Sequence, residues 1–325
     1  MTSLRIKYFY SIITILFIIS FILSIFVGKY PLSIEKILAG DAMQLNVFFN
    51  LRLSRTLMAF LAGFTLSLSG YVYQTIFRNP IASPDIIGVS SGASLGVAIG
   101  IVFLSGSTIA VISSAFIGAM SAVIFTIAVA NMTNKENITS FVISGVAINS
   151  LTSSALMLIK YVADPEGELA RIEYFTMGSF ASVTMDKIFY SLPIVVIICI
   201  IIFKMFRLIT LLSLDYDEAK MLGIPVKQAR NSILFLLTIA MAIIISITGR
   251  ISFIGLISPH VVRLVNKTYS VTSMFFSSLL GATILLFSDC LARSLGESEI
   301  PISVLTSFIG APLLIFLVIR GDRKC

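Results

Sequence analysis

Apolar residues run in long stretches separated by short polar breaks: 8–27, 56–76, 86–104, 108–131, 138–162, 188–206, 231–248, 251–265, 274–292 and 301–319. A stretch of about 18 apolar residues or more has the length of a membrane-spanning helix. The eighth run is shorter and requires Ser258-Pro259-His260 to be tolerated inside the protein. The pattern predicts an all-α integral membrane protein with about ten transmembrane helices. Loops are short and no linker is rich in Pro or Ser, so a single membrane domain over 1–325 is expected, without an attached soluble enzyme.

Small and polar residues mark several of these runs. Gly88, Gly92, Gly96 and Gly100 recur every four residues, which places them along one helix face and allows another backbone to approach closely. The preceding segment, RNPIASPD (78–85), holds two prolines and cannot continue an ordinary helix. At membrane depth it must be buried in protein or line a wet cavity. Two runs carry uncharged polar stripes at helical spacing: Gly145, Asn149 and Thr152, and Ser303, Thr306, Ser307 and Gly310. Such stripes serve either helix–helix hydrogen bonding or a solvated pathway, and without charge they suit a bulky neutral or variable cargo better than a bare ion.

Composition sharpens this picture. Hydrophobic residues make up 57% of the 325 and charged residues only 12%, about half the charged share of a soluble domain. Arg5 and Lys7 precede the first run and no small-residue cleavage site closes it, which reads as an uncleaved first helix. With the N-terminus inside, most of the 23 Lys/Arg lie on inside segments, while the outside segments hold most of the acids; this bias favours cytoplasmic termini. The net charge of +7 then belongs to a cytoplasmic rim and not to a nucleic-acid partner. Cys199, Cys290 and Cys325 lie far apart and His260 is the one histidine, so neither a disulfide framework nor a metal site is expected. No cofactor is implied.

One polar segment stands out between apolar runs: LLSLDYDEAKMLGIPVKQAR, 211–230. Around 213–225 it has the grammar of a short helix. Asp215 is placed to act as N-cap, with Glu218 three residues on to complete a capping box. Gly223 sits at the left-handed position past the helix end, followed by Pro225. Tyr216, Ala219 and Leu222 form one apolar stripe. About seven helical residues are too few to be stable alone in water, so the helix needs a surface to pack on: the protein's own membrane ends or a second cytosolic protein. No GxxxxGK[ST] loop occurs, so any ATP hydrolysis would fall to another chain.

This segment resembles the cytoplasmic coupling loop of FecCD-type ABC transporter permeases, the membrane subunits of importers for iron–siderophore complexes, haem and cobalamin. The family pattern is roughly L-S-L-G-x-x-x-A-x-x-L-G, and here it reads LSLDYDEAKMLG, with Asp215 in place of the usual glycine. Further family motifs follow in order: LRLSRTLMAFLAGFTLSLSG (51–70), YQTIFRNPIASPDIIGVSSGAS (73–94), FVISGVAINS (141–150), YFTMGS (174–179), GRISFIGLISPHVVRL (249–264), SLLGATILLFSDCLAR (278–293) and IPISVLTSFIGAPLLIFLV (300–318). Ser54, Tyr174 and Arg250 depart from the residues common there.

The resemblance implies a type II ABC importer permease fold, a dimer with an identical or related second permease, two cytosolic ATPase subunits, and an extracytoplasmic substrate-binding protein. It implies that Asp215, Tyr216, Glu218, Ala219, Leu222 and Gly223 form the ATPase contact. Arg52, Arg55 and Arg293 would receive acidic residues of the binding protein at the outer face. The two polar stripes would line the translocation pathway. The expected function is import of ferric siderophores across the cell membrane, with haem or cobalamin import as alternatives. A different class, an ion-coupled secondary transporter, would have to use Asp289 and the 78–85 break. Asp289 is expected to pair with Arg293 one turn on, and His260 to pack and hydrogen-bond. Gly88-Val89-Ser90-Ser91-Gly92 fits the G-x-S-x-G nucleophile pattern, but that motif needs a strand-to-helix turn that this sequence does not offer. The chain is therefore expected to be no enzyme.

Overall fold

The computed structural model describes residues 3–28, 30–132, 138–295 and 299–322. Ten principal helices correspond to the ten apolar runs: α1 (Ser3–Phe26), α2 (Ser54–Ile76), α3 (Val89–Val102), α4 (Thr108–Met132), α5 (Ile138–Val162), α6 (Met185–Lys204), α7 (Val226–Thr248), α8 (Ile254–Val265), α9 (Val271–Ser294) and α10 (Ile302–Asp322). Among the described residues, seven helical stretches are long and apolar enough to cross a membrane; Val89–Val102, Ile254–Val265 and Ile302–Phe316 are shorter apolar helices. No strand occurs among the described residues. The chain is a multi-span, all-helical membrane protein.

The helices divide into two compact units. The first comprises 1–68, 178–193 and 251–325; the second comprises 69–177 and 194–250. One boundary falls at Pro193, inside α6.

In the first unit, small residues bring α2 and α9 together. A Cβ on Gly63 would lie 2.5 Å from the Gly281 carbonyl oxygen and 2.6 Å from the Ala282 Cα, and Ser67 donates to the Ser277 carbonyl at 2.6 Å. On the other face of α9, Tyr10 of α1 stacks on Phe276 with ring centroids 4.0 Å apart, and Asn266 donates to both the Tyr10 hydroxyl and Ser273 Oγ. Apolar helix surfaces gain little from burial when lipid is the alternative, so close packing and hydrogen bonds of this kind hold such helices together.

In the second unit, the glycine face does the same for α3 and α4. A Cβ on Gly92 would lie 2.5 Å from the Gly118 carbonyl and from Ala122 Cβ, and one on Gly96 would fall on the Ser114 carbonyl. Gly88 differs from the three glycines that follow it. It sits at φ 91, turning the 3₁₀ segment Pro84–Ile87 into α3. Only glycine reaches that region without a Cβ clash.

Candidate functional site

Three places carry the polar chemistry. The first lies in the first unit, where the seven-residue π-helical stretch Val47–Leu53 runs into α2. Asp289 of α9 is fully buried. Arg55 Nε donates to its Oδ1 at 2.7 Å, and Arg293, one turn on, places Nε 3.2 Å from its Oδ2. Arg55 also reaches Glu299 through Nη1 at 2.8 and 2.9 Å. Arg293 Nη2 donates to the Ser24 carbonyl at 2.7 Å and to Ser24 Oγ at 3.0 Å, and Arg52 donates to the carbonyls of Val27 and Tyr30.

The sequence reading has Arg52, Arg55 and Arg293 facing outwards. In the protomer they face inwards, 5, 7 and 5% exposed. The reason is electrostatic: a buried carboxylate is tolerated only with hydrogen-bonded counter-charges around it, and Asp289 takes two of the three guanidinium groups. Glu299 is the member open to solvent, its side chain one-third exposed.

The second place is the break before α3. Asn149 of α5 donates from Nδ2 to the carbonyls of Asp85 (2.8 Å) and Ile86 (3.2 Å). Thr152 donates to Ser91 Oγ at 3.0 Å, and Thr126 of α4 to the Ile87 carbonyl at 3.1 Å. Gly145 lies where a Cβ would strike the Ile86 carbonyl. Within the stripe, Asn149 thus bonds carbonyls of the irregular segment, as backbone of that kind at membrane depth requires, Gly145 gives the segment room and Thr152 bonds Ser91. Ser90, the centre of the G-x-S-x-G pattern, donates to the Asp85 carboxylate. An apolar cavity of about 590 Å³ opens beside this cluster, its walls including Leu95, Ile99, Ile117, Phe125, Leu151 and Thr152.

The stripe of α10 is packed in a comparable way within the first unit. Thr306 is 1% exposed and donates to the Ser303 carbonyl. Gly310 admits Phe253 and Ile257 of α8, to which a Cβ would come within 2.7 Å. Phe253 itself takes left-handed backbone, φ 70. Ser303 and Ser307 are half-buried, while Val304, Phe308, Ile315 and Phe316 present an exposed apolar face.

The third place is the short polar segment. A helix forms over Tyr216–Met221 with Asp215 at the N-cap position, but the Asp215 side chain makes no cap bond. It accepts from Arg78, whose other terminal nitrogen donates to the Leu214 carbonyl. Glu218 lies in the first turn, and Gly223 follows at φ 77. The predicted single stripe is split: Ala219 is 1% exposed and faces the unit, whereas Met221 and Leu222 are 80% and 61% exposed. Helix geometry ends at Met221, so Leu222 leaves the stripe and turns outwards. Arg78 was not singled out by sequence reading; its one signal was a basic residue directly after a span.

Comparison with known proteins places these features. The family model described as the FecCD transport family matches residues 16–320. The chain is 35% identical over 322 residues to the molybdate import system permease protein MolB of Haemophilus influenzae, covering 96% of this chain and 95% of that one. It is 33% identical over 293 residues to the hemin transport system permease protein HmuU of Yersinia pestis, covering 88% and 86%. Identity to the vitamin B12 import system permease protein BtuC of Vibrio cholerae is 30% over 315 residues, covering 95% and 93%. A solved structure described as an inward-facing conformation of a metal-chelate type ABC transporter superposes with a TM-score of 0.87 at 34% identity, covering 97% of this chain and 99% of that one.

Proposed function

The chain belongs to the FecCD transport family of ABC importer permeases, and from that premise we propose that it carries ferric siderophore complexes inwards, driven by two ATPase subunits that bind the helix Tyr216–Met221. The observation that carries the ATPase reading is that helix. It is polar, too short to be stable alone, anchored on one side by buried Ala219, and it offers Met221 and Leu222 outwards, 80% and 61% exposed among the described residues. This surface suits a cytosolic partner, and the reading that puts the N- and C-termini in the cytoplasm is supported by the Lys/Arg bias.

The exposed apolar face of α5 and that of α10 each suit lipid or a second permease subunit. An extracytoplasmic binding protein would dock near Arg52, Arg55 and Arg293. Because all three are bonded inside the protomer, a docking carboxylate would compete with Glu299, the member of the network open to solvent. Charge pairs of that kind set register and on-rate more than affinity.

Uncharged stripes accept any large chelate, and the relatives carry hemin, vitamin B12 and molybdate by name. Haem and cobalamin are therefore the competing cargoes, with molybdate added by kinship. The test is accumulation of labelled ferric siderophores, hemin, cobalamin and molybdate in cells lacking this gene and in complemented cells. Loss of ferric siderophore uptake alone, restored by the gene, is the expected result. Loss of another cargo alone would replace the iron assignment and leave the permease.

A further inference from the structure

The end of α2 and the start of the short helix are joined by Arg78, and its backbone as well as its side chain is committed to the junction. Arg78 sits at φ 48, in the left-handed region that a residue with a Cβ seldom occupies. Its N–H bonds the Thr75 carbonyl at 3.3 Å as α2 ends. Glycine is the usual residue at such a helix exit, so the arginine is kept there against local preference. Backbone held in a sparsely populated region is a feature that surrounding contacts must enforce.

Those contacts lead to one place. The guanidinium spans the Leu214 carbonyl and the Asp215 carboxylate, the two groups at the threshold of Tyr216–Met221. Asp215 stands at the N-cap position, where a carboxylate ordinarily bonds the helix's own N–H groups, and its side chain forgoes that bond. The helix is thus fixed at its start by α2 and not by its own cap. Its end is fixed locally: Gly223 N–H bonds the Lys220 carbonyl at 2.9 Å, and Ile224 N–H the Ala219 carbonyl at 3.2 Å. A six-residue helix closed on itself at one end and tied to Arg78 at the other is held in place through that tie.

We infer that Arg78 is a positioning residue for transport: through Asp215 and the Leu214 carbonyl it ties displacement of the helix Tyr216–Met221 to α2. The inference rests on the reading of that helix as the ATPase contact. Arg78 acts through the helix it holds, setting where Met221 and Leu222 stand when force arrives. Because Asp215 replaces the glycine of the family pattern, the carboxylate half of this tie belongs to this chain, while the bond to the Leu214 carbonyl needs only the arginine.

The experiment uses the complex assembled with its ATPase subunits in proteoliposomes, measuring cargo moved per ATP hydrolysed. The chains compared are wild type, Arg78→Gln, Arg78→Lys, Asp215→Asn, the double variant Arg78→Gln/Asp215→Asn, and Leu222→Asp. The Arg78 side chain is one-third exposed and that of Asp215 largely exposed, so all should assemble, which yield of purified complex verifies. Arg78→Gln and Asp215→Asn should each lower the transport-to-hydrolysis ratio about fivefold, the scale of one exposed ion pair. Arg78→Lys should recover part of the loss, and the double variant should be no worse than Arg78→Gln alone, as for two residues acting as one unit. An unchanged ratio in Arg78→Gln, with Leu222→Asp inactive, would overturn the role of Arg78 and leave the ATPase contact standing. Strictly additive losses would overturn the pairing. Wild-type transport in Leu222→Asp would overturn the ATPase reading, and the inference with it.

Discussion

Asp289→Ala is expected to destabilise the protein by about 3–5 kcal/mol, the cost of breaking a buried ion pair from one side. Asp289 is fully buried and is approached by two guanidinium groups, Arg55 at 2.7 Å and Arg293 at 3.2 Å. Removing it leaves Arg55 with Glu299 and Arg293 with Ser24, so two buried cations share no carboxylate and the one remaining anion, bonded to Arg55, is partly solvated. Asp289→Asn keeps the volume and an acceptor but not the charge, and should fall between. Glu299→Gln should cost about 1 kcal/mol at most, because its side chain is one-third exposed and water replaces what is lost. Thermal unfolding of the purified protein in detergent checks the order. A wild-type midpoint for Asp289→Ala would mean that the network does not hold the first unit together.

Gly96→Leu is expected to prevent accumulation of folded protein altogether. At Gly96 the first side-chain carbon would already fall on the Ser114 carbonyl, with the Ala115 Cα 3.0 Å away, and Gly118 presses back on Gly96 from α4. These are backbone atoms, so no rotamer change relieves the clash and α3 and α4 must separate. Separation would also pull α4 from the Ile87 carbonyl that Thr126 satisfies. Overpacking in a well-packed core costs about 1–3 kcal/mol for ordinary side-chain crowding, and a backbone obstruction lies beyond that range. Gly96→Ala carries the same first carbon and should already lower the yield, with Gly96→Leu worse. Yield and size-exclusion profile of membrane-extracted protein decide it: a monodisperse Gly96→Leu protein at normal yield would show that the helices have room the packing denies.

The helices were legible because membrane length and apolar composition leave few alternatives. Two helix starts lie five residues earlier than the apolar pattern has them, α1 at Ser3 and α7 at Val226, and the second is instructive. Sequence begins the seventh span at 231, yet α7 starts at Val226, since Arg230 is 5% exposed and lies over the Phe141 ring at 4.2 Å. A charge that finds a ring to rest on no longer marks the edge of a span. The glycine face was readable from its spacing, except that Gly88 serves the turn and not the packed face.

The site was legible by residue type but not by partner. Arg52, Arg55 and Arg293 stood out as charges at the ends of apolar runs, and nothing local says that Arg55 will meet residues 234 and 244 positions away. Asp215 was read as a cap on local grammar. Its actual partner, Arg78, lies 137 residues earlier, and a charge-assisted bond from a guanidinium outcompetes a neutral N–H. The polar stripe on α5 was visible as a stripe. That its Asn149 would be spent on the Asp85 and Ile86 carbonyls depended on how α5 packs against that segment, which spacing alone does not encode.

The central claim is that this permease works by ATP hydrolysis on a partner chain and not by an ion gradient. The most direct measurement is uptake into membrane vesicles containing the assembled complex, supplied outside with cargo-loaded binding protein, with ATP sealed inside and a protonophore added. Uptake that requires internal ATP and persists when the ion gradient is collapsed is the predicted result. Uptake that proceeds without ATP and stops with the protonophore would contradict it.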